Sequence, residues 1–327
     1  MRKLCICIPT YNRPDCISFI LKSYAVFLGE YEFDVFIHDT SESDETEAVV
    51  SRFKESYGSR LEYVRFREYP DMTTDLKVTE CFRILQEAYE YVHLCGDGLV
   101  VDFPRYYPLF RAAADEGYDV IHFNNNLLEQ VSRYTSGKDF ARDCGWFATY
   151  YGATAVSSRL IRRADYESIL GVLRNTGYVY WSCLMAGIGS DDEKIVCYNE
   201  FPMQNNPHKP TNSSYQPGKF IGFWVVGWNK AINELPSHYE TVGPQVKKDV
   251  GDHLHLYGWE NLIRLRKTDN LCWDVVRDKR ELFEQVTDVP FWHVKLVALT
   301  PRPIIDGMVG LRGAASGIRS RLGVLRT

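Results

Sequence analysis

The sequence predicts an α/β fold: an open sheet flanked by helices, followed by a mostly helical carboxyl-terminal extension. Two observations carry this. Four short apolar runs alternate with three amphipathic stretches in the first hundred residues, the rhythm of strand–helix–strand units. Beyond residue 218 the chain becomes aromatic-rich without further strand-like runs.

Leu4 to Ile8 is a continuous apolar run, the pattern of a strand buried on both faces. Pro14 suits a first helical turn. Ile17, Ile20, Leu21 and Tyr24 then follow at i, i+3, i+4 and i+7, one helical stripe. Phe33 to Ile37 is a second strand. Ser43 is placed to cap a second helix, whose stripe is Val49, Phe53 and Tyr57. Leu61 to Phe66 is a third strand, Val78, Phe82, Leu85 and Tyr89 mark a third helix, and Tyr91 to Leu94 is a fourth strand. Beyond Gly98 the alternation loosens. Tyr118–Phe123, Gly152–Val156 and Lys194–Tyr198 read as strands and Arg159–Leu173 as a helix. Gln204–Gly218, rich in Asn, Pro and Ser, reads as a loop, and Phe220 to about Lys267 as helical. The expected division is 1–215 for the α/β domain, 216–286 for a helical region and 287–327 for a tail.

Composition bounds the function. The chain has 327 residues, 45% apolar and 14% aromatic, enough for a sizeable core. A net charge of -5 argues against general nucleic-acid binding, which needs a basic face. Nine scattered cysteines, none in a CxxC, suit reduced thiols in a cytoplasmic protein. No signal peptide precedes the first strand, and no run of 18 apolar residues is present to span a bilayer.

In open α/β sheets ligands bind where the strands' carboxyl ends open. Three such ends carry polar groups: Pro9-Thr10-Tyr11-Asn12-Arg13, Asp39 in DTSESDET, and Asp97 in YVHLCGDG. A strand-end carboxylate such as Asp39 either caps the next turn or accepts the imide N–H of a uracil. Asp97, between two glycines, is either a turn residue or an oxygen ligand for Mg2+ or Mn2+ on a diphosphate.

As an ordered set these three loops resemble the nucleotide-sugar half of family-2 glycosyltransferases, over residues 4–101 and more weakly to about 200. The resemblance implies the Rossmann-like GT-A fold, with an open mixed sheet, and inverting sugar transfer. It implies that Pro9, Thr10, Tyr11 and Arg13 line the nucleotide pocket, that Asp39 binds the uracil of a UDP-sugar, and that Asp97 holds the metal. Asp75 and Lys77 are candidates for ribose or phosphate contacts. Two departures stand out. His38-Asp39-Thr40 replaces the family's Asp-Asp-Gly, and Gly96-Asp97-Gly98 has one acid where many members have two or three. His208 is a candidate for the missing ligand or for a diphosphate contact.

Inverting transfer needs a carboxylate to take the acceptor hydroxyl's proton. Asp191 and Asp192, in Ser190-Asp191-Asp192-Glu193, are the candidates by their place in the chain. Trp146, Tyr150, Tyr151, Gly152 and Trp181 are candidates for the acceptor side, where rings stack on sugars. From Thr287 onward there are six Lys/Arg and two acids, and Ile304, Met308, Leu311, Ala315, Ile318, Leu322 and Leu325 share one helical stripe. That is the pattern of an interfacial helix drawn to anionic lipid, weakened by five glycines; a partner or oligomer contact is the alternative. The expectation is a peripheral enzyme at the inner face of the cell membrane, acting on a saccharide or lipid-linked acceptor. A sugar-nucleotide nucleotidyltransferase would need a Gly-rich basic loop after the first strand, which Pro-Thr-Tyr-Asn is not. A non-catalytic glycosyltransferase-like binding module is the non-enzyme alternative.

Overall fold

The computed structural model describes residues 2–66, 73–123, 129–145, 147–149, 151–189, 191–209 and 219–307. The chain forms two compact units, Met1–Thr211 with Ala231–Gly243, and Asn212–Lys230 with Pro244–Thr327.

The first unit is built on an eight-stranded mixed sheet. Its first half follows the predicted alternation: β1 (Arg2–Thr10), α1 (Pro14–Ala25), β2 (Asp34–Asp39), α2 (Glu45–Tyr57), β3 (Leu61–Arg65), α3 (Thr74–Leu85) and β4 (Tyr89–Leu94). These four strands are parallel, in the order β3-β2-β1-β4. The predicted α1 stripe, Ile17, Ile20, Leu21 and Tyr24, is buried. The second helix has Asp44, one residue later than expected, at its N-cap position, with no side-chain capping bond.

The second half departs more from the sequence reading. A short strand β5 (Leu99–Val101) leads into α4 (Phe103–Asp115), a helix with Pro108 inside it. The two prolines mask its periodicity in the sequence. Then come β6 (Val120–Phe123), β7 (Ser132–Tyr134), α5 (Gly137–Cys144) and β8 (Thr154–Ser157). The single helix expected over Arg159–Leu173 is two, α6 (Ser158–Ile161) and α7 (Tyr166–Leu173). Each has its own side-chain cap, Ser157 on Leu160 N and Asp165 on Ser168 N. Helix α8 (Val179–Gly187) and strand β9 (Ile195–Tyr198) follow. The sheet continues from β4 as β8-β6-β9-β7, with β8 and β7 antiparallel to their neighbours. One straight row of paired residues, Cys5, Val92, Val156, Val120 and Ile195, crosses five strands.

The predicted loop over Gln204–Gly218 begins as a strand. β10 (Met203–Asn205) pairs antiparallel with β5. Residues 210–218 lie outside the described residues. Eight of the nine cysteines are buried.

The second unit is helical among its described residues: a segment from Lys219 that passes through a π-helical turn at Gly222–Gly227, then α9 (Gly243–His253), α10 (Trp259–Lys267), α11 (Trp273–Val276), α12 (Arg280–Val286) and α13 (Phe291–Leu299). Most of the predicted tail stripe, from Met308 on, lies outside the described residues. No helix among the described residues is long and apolar enough to cross a membrane.

Candidate active site

Three parallel strands end side by side, and their polar ends bond to one another. Thr10 at the end of β1 donates its hydroxyl to Asp97 Oδ2 at 2.8 Å. The Arg13 guanidinium, just before α1, pairs with Asp97 Oδ1 at 2.6 Å. Between them Asn12 takes a left-handed φ of 51°. Its N–H donates to Ser41 Oγ, and its Oδ1 accepts from Glu42 N–H at 2.9 Å. Tyr11 OH donates to Glu42 at 2.5 Å. The first loop is thereby fastened to the second, and Pro9 carries β1 into it, paired with His38.

Asp39 is fully buried. Its Oδ1 accepts from the backbone and hydroxyl of Ser41, and its Oδ2 from Tyr63 OH at 2.8 Å. It therefore braces the DTSESDET loop from inside. Arg65, at the end of β3, latches the same loop from the other side. It donates to the carbonyls of Ser41, Glu42 and Ser43 and pairs with Asp44 and Glu47. Sequence reading missed Arg65, because nothing marks a strand-end arginine as a loop anchor until the strands are ordered.

Lys77 joins the cluster from the first turn of α3. It is buried, its Nζ lies 3.5 Å from the Thr10 carbonyl, and it sits 5.2 Å from the Tyr11 ring centroid. Burial lowers its pKa, and the nearby carboxylates of Asp39 and Asp97 pull the other way. Asp75, two residues earlier, has a different job. Its oxygens accept from the N–H groups of Gly177 and Val179, so it caps the turn that starts α8. Burial raises its pKa, while those amides oppose the rise.

The β5–β10 ribbon brings a fourth segment to Asp97. Buried Asn206 donates to the carbonyls of both Cys16 and Asp97 at 3.0 Å, and its own N–H bonds Gly98 O. Lys209 then drapes over Gly98, so closely that a Cβ there would lie 2.7 Å from Lys209 Cδ. Neither Asn206 nor Lys209 was legible as a site residue in an Asn/Pro-rich stretch.

The metal ligands expected here do not assemble. The His208 ring packs on Phe19, with centroids 5.5 Å apart. Both oxygens of Asp97 are engaged, one of them by a cation, with Lys77 close enough to feel its charge. A hard divalent ion needs several oxygen ligands and low local positive charge. Among the described residues no group of three or more His, Cys, Asp or Glu side chains could hold one. The described residues of this cluster do not fit the ion.

Topology sets the base candidates at the amino end of β9. Asp97 lies five residues beyond Val92, toward the carboxyl edge of the sheet, whereas Asp191 and Asp192 lie four and three residues before Ile195. Val92 and Ile195 belong to the same cross-sheet row, and β4 and β9 run in the same direction. The acids therefore precede β9 at its amino end, while Asp97 follows β4 at its carboxyl end. Lys194, beside them, bonds through its carbonyl to Asp119 and Val120 at the start of β6. Both aspartates are exposed, while Glu193 is buried against Arg163 at 2.6 Å. Trp181 is core: it is buried and donates to Gly145 O at 2.8 Å. Trp146 and Tyr150 lie outside the described residues, as does the side chain of Tyr151.

An open sheet whose carboxyl edge gathers Thr10, Arg13, Asp39, Lys77 and Asp97 is a GT-A fold. The family model described as Glycosyl transferase family 2 matches residues 5–69. The fold is similar to that of S. aureus TarS 1-349, with a TM-score of 0.58 at 11% identity, covering 94% of this chain and 91% of that one. The same TarS fragment in complex with UDP gives a TM-score of 0.57 at 11% identity, with the same coverage. A longer S. aureus TarS structure gives 0.51 at 12% identity, covering 93% of this chain and 52% of that one. No curated protein sequence matches the chain.

Proposed function

We propose that this protein is an inverting glycosyltransferase that moves a sugar from a uridine diphosphate donor to a hydroxyl of a saccharide or lipid-linked acceptor, in surface polysaccharide synthesis. The observation that carries it is the convergence of Thr10, Arg13, Lys77 and Asp97 at adjacent strand ends, a buried polar cluster with cations to meet a diphosphate. The fold-level likeness to a UDP-bound TarS supports the choice of nucleotide.

In this reading Tyr11 offers a ring face to the base, and Asp39, braced by Ser41 and Tyr63, shapes the end of the uracil pocket. Arg13 and Lys77 stabilise the charge that grows on the diphosphate as its bond to the anomeric carbon breaks. The acceptor oxygen attacks that carbon from the opposite face, and in this reading its proton passes to a base at this same edge of the sheet, an edge that Asp191 and Asp192 precede at the amino end of β9. The divalent ion that the family resemblance implies has no ligand set in this cluster.

Calorimetric titration of UDP tests the reading, with and without EDTA. The expected result is binding in both, weakened at least about tenfold in Arg13→Ala. Absence of UDP binding under either condition sinks the donor assignment. Binding without release of UDP in the presence of UDP-sugars and acceptors would mean a binding module instead of an enzyme.

A further inference from the structure

We infer that the outer face of α13 is a docking surface for an anionic lipid bilayer. The helix buries Val294, Val297 and Ala298 on its inner side. Its outer side repeats at i, i+3, i+4 and i+7: Trp292, Lys295, Leu296 and Leu299, all exposed. Trp292, Leu296 and Leu299 are 58%, 52% and 51% exposed. Trp259 of α10, 43% exposed, packs edge-on against Trp292, and Ile304 adds another exposed apolar side chain just beyond the helix. Five large apolar side chains held in water on one short stretch of fold mark an interaction site, not scatter.

The charge of this part of the sequence argues for the partner. From Thr287 to the end there are six cations, Lys295 and five arginines, against two acids, Asp288 and Asp306; Arg302 pairs with Asp269 at 3.0 Å. A second copy of this chain meeting the same face would bring like charges together. Anionic headgroups would neutralise them while the tryptophans and leucines enter the headgroup boundary. The sequence alone places Phe291-Trp292 and Leu296-Val297 as an apolar patch of the tail from Thr287; of these the fold exposes Trp292 and Leu296 and buries Val297.

The test uses the full chain and sedimentation with vesicles. One set is phosphatidylcholine alone, the other equal parts phosphatidylcholine and phosphatidylglycerol. The expected result is binding to the mixed vesicles only, weakened by salt. The triple substitution Trp292→Gln, Leu296→Gln, Leu299→Gln should reduce it about tenfold or more with an unchanged melting temperature, since all three side chains point outward. The inference is overturned if the wild-type chain binds neither vesicle, or if the triple variant binds as well as the wild type. It is equally overturned if ultracentrifugation shows a dimer that the triple variant converts to monomer. None of these outcomes depends on UDP binding, so this surface and the active-site reading stand or fall separately.

Discussion

Lys77 sits where one positive charge is balanced between two carboxylates and a guanidinium, inside a buried cluster. An incoming diphosphate adds negative charge there, which favours the protonated amine. Lys77→Ala should therefore weaken UDP by about tenfold or more and leave uridine nearly unaffected. Paired titrations of the two ligands check this, and an equal loss for both would place Lys77 with the base instead of the phosphates. The aspartates before β9 give the opposite expectation. Asp191→Asn and Asp192→Asn should keep transfer rates within about twofold, because a group on the far edge of the sheet cannot take the acceptor's proton. Loss of turnover at unchanged UDP affinity in either variant would show that the topological argument fails.

At the scale of elements, the site depends on loops that tie strands together. Asn206 satisfies two carbonyls and anchors the 206–209 turn, where its Oδ1 accepts the His208 N–H. Asn206→Ala removes a donor to the Cys16 and Asp97 carbonyls and should cost about 1–3 kcal/mol, read from the urea midpoint. A smaller loss with a large drop in UDP affinity would show that the residue positions Lys209 more than it stabilises the fold. The strand ends and α1 to α3 were legible in the sequence because each carries its own period and its own polar terminus. The role of Asp39 was legible only in part. Its place at a strand end could be read, but Ser41 and Tyr63 occupying its oxygens could not, since Tyr63 is 24 residues away. Asp75 was misplaced for the same reason. Its partners, the amides of Gly177 and Val179, are about a hundred residues downstream.

Across the molecule, three buried histidines couple stability to pH. Burial lowers His38 to about 4, helped by nearby Lys77, and His93 and His122 to about 4 and about 3. Their folded-state values lie below the unfolded value near 6.5, so the unfolded chain binds more protons in between. Their contribution is full above about pH 6.5 and is lost as pH falls toward 4, at about 1.4 kcal/mol per unit of displacement for each group. Asp75 and Asp249, raised by burial, pull the other way. The urea midpoint should fall between pH 7 and about 5. His122→Asn, which keeps a hydrogen-bonding group facing Thr154 Oγ1 but takes no proton, should flatten that slope. An unchanged slope would show that His122 is not neutral in the fold.

By itself the sequence determined the α/β alternation and the three polar strand ends. Those properties are local: a period of two or 3.6, a proline at a helix start, a carboxylate after an apolar run. Only the tertiary structure decided which acids share an edge, because direction in a mixed sheet is set by pairing between distant strands. Asp97 and Asp191 look equivalent as acids beside strands. One follows β4 and the other precedes β9, and since those two strands run the same way, the chain delivers them to opposite edges.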